Sequence, residues 1–185
     1  MFKKILVTFI FSLFLFSCGS TDIQVTENSL IDVDNTNFAF KVPSNWEIIK
    51  DKENILPKAK SGNIELAATS TNLVSGFANN LLILSDDLNK LTTSKDYSIL
   101  NNIGAETDYL DYKKIGVNNI TFADKEEGLV YEFEARYNLD TPKLRFLQTA
   151  HICNKTKGYF ITIALPSSMT DTSKYQELLA TFACK

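Results

Sequence analysis

Leu129-Val130-Tyr131-Glu132-Phe133-Glu134-Ala135-Arg136-Tyr137 is the stretch on which the fold turns. Leu129, Tyr131, Phe133, Ala135 and Tyr137 fall on one side of an extended chain, while Glu132, Glu134 and Arg136 take the other. That alternation predicts an antiparallel strand with one face in the core and one toward water. Just upstream, Asp124 to Gly128 reads as a charged turn, with Gly128 supplying a residue tolerant of positive φ. Tyr112 to Phe122 is the preceding strand, with a break near Gly116. Downstream, Leu144 to Cys153 and Tyr159 to Leu165 are expected to pair as a hairpin across residues 154–158, and Pro166 stops the second of them.

The flanks extend this β pattern. Phe38, Phe40 and Val42 alternate on one face of a strand that Pro43-Ser44-Asn45 ends with turn chemistry. Trp46 to Lys50, Ile64 to Thr69 and Asn80 to Leu84 supply three more strands. Trp46 is expected to be largely buried, because a large aromatic beside a proline turn is hard to justify in water. Ser94 to about Tyr109 predicts a helix, capped by Ser94 and facing the core with Tyr97, Leu100 and Ile103; Gly104 weakens its second half. Asp171 or Thr172 can cap a closing helix with Tyr175, Leu178, Leu179 and Phe182 inward.

The order of these elements, and Phe40-Lys41-Val42-Pro43-Ser44-Asn45-Trp46 with the closing amphipathic helix, resembles the PsbP-like superfamily, named for an extrinsic subunit of photosystem II. The resemblance spans roughly residues 37–183. It implies an α+β fold, a sandwich whose central antiparallel sheet has helices packed on its faces. It also implies a binding or assembly module, and it carries over no active-site motif.

At the other end, Lys3 and Lys4 precede an almost unbroken apolar run from Ile5 to Phe16, and Ser17 stands before Cys18. Charged start, apolar segment and small residue predict a secretory signal peptide over residues 1–17. Leu15-Phe16-Ser17-Cys18 resembles the bacterial lipobox, in which the cysteine is diacylated and becomes the N-terminus, so Cys18 is the expected lipid-bearing residue. The run of about twelve residues is well short of the roughly twenty needed to cross a bilayer. Residues 18–36 then read as a lipidated N-terminus and polar tether, and residues 37–185 as the globular domain. Within the tether, Asp32 opens a stretch like a calcium loop, but Asn37 and Pro43 stand where glycine and glutamate are required.

Losing Lys3 and Lys4 from 19 basic residues leaves 17 against 22 acidic, a charge near −5. That excludes nucleic acid as a natural partner and leaves the acyl anchor as the membrane contact. A chain with 13 Phe and 7 Tyr can bury a core of its own. No nucleophile elbow, zinc-protease motif or phosphate loop is present, and His151 is the only histidine, so no enzyme and no cofactor is expected.

His151, Cys153 and Cys184 form the one pointed constellation. His151 and Cys153 share a strand face. The last strand travels about 20 Å from its turn, and the closing helix returns about 17 Å. Cys184 should therefore end beside Cys153. A structural disulfide between them is the expectation; a metal site of His151, Cys153 and Cys184 is the alternative, disfavoured by three ligands and no evident supporting carboxylate. The expected role is a lipid-anchored protein of the bacterial cell envelope, facing the periplasm or exterior, that presents a surface to another envelope protein. The competing role is a binder of a small ligand or metal, to be recognised by a lined cavity between sheet and helices.

Overall fold

The computed structural model describes residues 29–185, so the expected signal peptide and Cys18 lie outside the described residues. The elements in chain order are β1 (Leu30–Asp32), β2 (Phe38–Ala39), β3 (Lys41–Pro43), β4 (Trp46–Ile48), α1 (Lys52–Ile55), β5 (Asn63–Val74) and β6 (Phe77–Asp87). They continue with α2 (Ser94–Asp108), β7 (Leu110–Thr121), β8 (Glu127–Arg136), β9 (Leu144–Cys153), β10 (Lys157–Pro166), α3 (Ser173–Leu179) and β11 (Ala183–Cys184).

A seven-stranded sheet in the order β4-β5-β6-β10-β9-β8-β7 is antiparallel throughout. The expected break near Gly116 is a shift in the β7–β8 register between Lys114 and Gly116. The positive φ expected of Gly128 belongs instead to Lys125, at 73°. Glycine at 128 serves another need, since an added Cβ would sit 2.7 Å from the Phe122 ring.

Two cores flank the sheet. On one face, Val33, β2, β3, α3 and Phe182 cover the inward residues of β5, β6 and β10, among them Leu66, Ile83, Ile161 and Ile163. On the other, α2 lies over β8 and β9 and packs Ala105 against Phe133, Ala135 and Phe146. Because both sides are covered at the centre, β9 and β10 are buried almost end to end.

Double coverage also changes β8. Glu132, expected to face water, is only 8% exposed and pairs with Arg145 at 3.1 Å. The reason lies in the segment leading into α3, whose Thr172 hydroxyl donates to the second Glu132 oxygen at 3.2 Å.

The N-terminal boundary moves as well. The expected tether ran to Thr36, yet β1 pairs with β3 and Val33 is buried, its N–H bonded to the Phe40 carbonyl at 2.9 Å. The hairpin satisfies these backbone groups in place of water. At the far end the closing helix stops at Leu179, short of Phe182, and β11 pairs with β2.

Trp46 is 4% exposed and packs against Tyr175, with ring centres 6.5 Å apart. Its fluorescence is expected to be blue-shifted and resistant to iodide quenching in the native chain, and to become quenchable on unfolding. Ready quenching in the native state would contradict its placement.

Candidate functional site

The helix α2 is anchored at one end and leaves a void beside it. Strands β8 and β9 pair only from Tyr131↔Gln148 to Ala135↔Leu144 and part beyond Gln148. The first turns of α2 fill that split: the Ser98 hydroxyl accepts the Ala150 N–H and the Ser94 hydroxyl accepts the Ile152 N–H, each at 3.0 Å. Since Ser94 is committed to β9, the cap falls to Thr93, whose hydroxyl accepts the Asp96 N–H at 3.1 Å. The buried face of α2 is therefore Ser94, Tyr97, Ser98, Asn102 and Ala105, all but Tyr97 with short side chains that permit close approach. Leu100 and Ile103, expected to face the core, are 60% and 57% exposed.

Held over β8 and β9, the helix leaves that face of β5 and β6 uncovered, with Phe160 of β10 at the edge of the gap. Ala67, Leu82, Leu84 and Phe160 form the floor of a cleft, and Leu100 and Gly104 of α2, with Tyr109 just past its end, form one wall. The opposite wall is the 56–61 segment, in which Leu56 and Ala59 are half-buried. The cleft encloses about 960 Å³, the scale of pockets that take drug-sized ligands. Small residues keep it open, since nothing lies within 4 Å of a Cβ added at Gly104. Gly62 seats the far wall at the start of β5; at φ 71° any side chain there would be driven into the Ser85 carbonyl.

Few polar groups reach the interior. The buried Gln148 amide donates to the Thr162 hydroxyl at 3.2 Å on the floor. At one end the Tyr97 hydroxyl donates to Asp86 at 3.2 Å. Burial, and then the Asp86 charge, push the Tyr97 phenol up to about 12. Burial and the neighbouring Tyr137 also raise Tyr109, so these phenols stay neutral donors. Lys60 and Asp108 pair at 3.0 Å across the mouth, joining the two walls. An apolar body with one or two neutral polar groups matches this lining.

The predicted constellation lies on the opposite face of the sheet. Cys153 and Cys184 form a disulfide, with Cα atoms 5.6 Å apart. His151 stands against it, Nδ1 being 3.4 Å from the Cys184 sulfur and 3.8 Å from the Cys153 sulfur. The supporting carboxylate that the sequence did not reveal is Asp124, 3.0 Å from His151 Nε2. Burial pushes Asp124 up, but the Cys184 N–H, the His151 ring and the Glu126 N–H together hold it below the ordinary carboxylate value. With both sulfurs bonded to each other, the alternative metal set is closed in this form of the chain.

No family model matches the chain, and no curated protein matches it significantly. Among solved structures, it is similar to cyanobacterial PsbP (CyanoP) from Synechocystis sp. PCC 6803, with TM-score 0.59 and 16% identity. That likeness covers 92% of this chain and 99% of the other. A Pseudomonas aeruginosa protein of unknown function, PA94, is also similar, with TM-score 0.52 and 11% identity over 83% of this chain and 94% of that one. The fold is PsbP-like, an α+β sandwich, as the sequence resemblance implied.

Proposed function

We propose that this chain is a lipid-anchored cell-envelope protein whose domain binds a small, mainly apolar molecule without transforming it. The observation that carries this reading is the cleft beside α2: about 960 Å³, floored by β5, β6 and β10, with Gln148, Thr162 and Tyr97 as its inner polar groups. It is the lined cavity by which the sequence separated a ligand binder from a pure docking module, and it favours the binder. Gly104 gives the test. Gly104→Leu fills open space on the cleft wall and replaces the poorest interior helix former short of proline, so stability should rise by about 0.5–1 kcal/mol. Binding of a neutral naphthylamine probe, followed by its fluorescence, should fall at least tenfold in the same variant. Equal probe binding by the two proteins would refute the cleft as the binding site.

The anchor rests on Lys3, Lys4, the apolar run and Leu15-Phe16-Ser17-Cys18. A disulfide in the domain suits the oxidising compartment that such a leader addresses. Cys18→Ala should block lipidation and processing. A Cys18→Ala chain that matures to the same size and still partitions into detergent would sink the lipoprotein reading. Docking to another envelope protein is the second reading. It is favoured by β7, a twelve-residue edge strand that leaves Ile115 and Val117 exposed. In-cell crosslinking from β7 positions would test it.

A further inference from the structure

The Cys153–Cys184 bond has a built environment beyond what a covalent staple needs. Asp124 is held as a carboxylate by two backbone N–H groups, those of Cys184 (3.0 Å) and Glu126 (3.2 Å), and faces His151 Nε2. A carboxylate there fixes the ring hydrogen on Nε2, so that in the neutral ring the Nδ1 lone pair points at the sulfurs. His151 is 1% exposed, and a disulfide has no hydrogen to offer that nitrogen. Phe122 and Phe182 grip the ring, with centroids 4.6 and 5.1 Å away, and keep Nδ1 aimed.

The spacing is that of a coordination shell. With zinc–sulfur bonds of about 2.3 Å and zinc–nitrogen bonds of about 2.05 Å, a tetrahedral ion sets N···S at about 3.6 Å and S···S at about 3.8 Å. The observed N···S distances, 3.4 and 3.8 Å, bracket the first value. Only the sulfur pair must open. One sulfur belongs to Cys184, which is half-buried in a two-residue strand next to the last residue.

We infer that reduction of Cys153–Cys184 converts this corner into a site for a soft divalent cation of the zinc class, bound by both thiolates and His151 Nδ1 and supported by Asp124. The chemistry balances as thiol–disulfide exchange. A dithiol reductant attacks one sulfur, the S–S bond breaks, and two protein thiols form as the reductant becomes a disulfide. The cation then displaces both thiol protons and leaves a fourth position for water or an outside ligand. The carboxylate–histidine–metal arrangement is the usual second shell of such a site. The same two cysteines would thus hold β11 against the domain in either redox state, by a covalent bond in one and by an ion in the other. This inference is independent of the cleft.

The test uses the full chain, reduced with a phosphine and titrated with Co²⁺ as a spectroscopic stand-in for zinc. One equivalent should produce a thiolate-to-cobalt charge-transfer band and tetrahedral d–d bands, and the unreduced chain should produce neither. Asp124→Asn should weaken binding by 10–100-fold. His151→Ala, which leaves both cysteines able to form the disulfide, should weaken it at least as much. Cobalt should also restore amide protection to β11 that reduction removes. The inference is overturned if the reduced, folded chain shows two free thiols and no cobalt spectrum. It is equally overturned if His151→Ala binds as tightly as the parent, or if the reduced chain unfolds and binds nothing.

Discussion

Arg145→Leu is expected to destabilise the domain by about 3–5 kcal/mol, the range for removing one partner of a buried ion pair. The guanidinium is 10% exposed and reaches Glu132 at 3.1 Å and Glu134 at 3.0 Å, with the Thr170 carbonyl at 3.4 Å. Leucine would leave two carboxylates facing a covered surface with no cation between them. Against a total stability of 5–15 kcal/mol for an ordinary domain, that is a large fraction. Urea unfolding followed by circular dichroism should show it as a lower midpoint at unchanged slope. Replacing Arg145, Glu132 and Glu134 together by apolar residues should recover most of the loss. A single variant as stable as the parent would mean that the network carries no structural weight.

Phe182→Ala should cost a similar amount, about 3–5 kcal/mol, for a different reason. Phe182 is fully buried and stacks on Phe38 with centroids 5.2 Å apart. It also touches Phe40, Phe122, His151 and Tyr159. Truncation opens a cavity beside the pairing of β2 with β11. Leu100→Ala is the natural control: Leu100 is 60% exposed, so the change should stay within about 0.5 kcal/mol. A Phe182→Ala loss no larger than that control would refute the packing described.

Those two residues also mark how far the sequence could be read. Phe182 was legible as a buried position, since the apolar pattern that buries Leu178 and Leu179 points on to it, although the helix itself ends before it. Leu100 was not, because α2 docks through hydroxyls. Ser94 and Ser98 satisfy β9 N–H groups that the parting of β8 leaves without a ladder partner, and polar residues at helical spacing do not advertise such a contact. Glu132 misled for a related reason: alternation shows which residues share a face, not whether a later segment covers it. The disulfide could be reached from strand and helix lengths, whereas Asp124 could not. It reads as one charge in a charged turn, and its partners His151 and Cys184 lie 27 and 60 residues away. The cleft was named only as a discriminating possibility. Its floor and walls come from separate stretches of chain, and no local pattern encodes the space between them.

The Lys60–Asp108 bridge across the mouth is too exposed to act as a gate on the cleft. Its side chains are 80% and 52% exposed, so it resembles the surface pairs worth about 0–1 kcal/mol. A latch of 1 kcal/mol stands open in roughly one molecule in six, and a weaker one more often. Entry and exit would then be limited by diffusion and by the grip of the floor, not by waiting for a gate. A ligand held there would exchange quickly, and added salt would loosen the rim further. On the binding role proposed above, such a rim suits a carrier that hands its ligand on better than a store that keeps it.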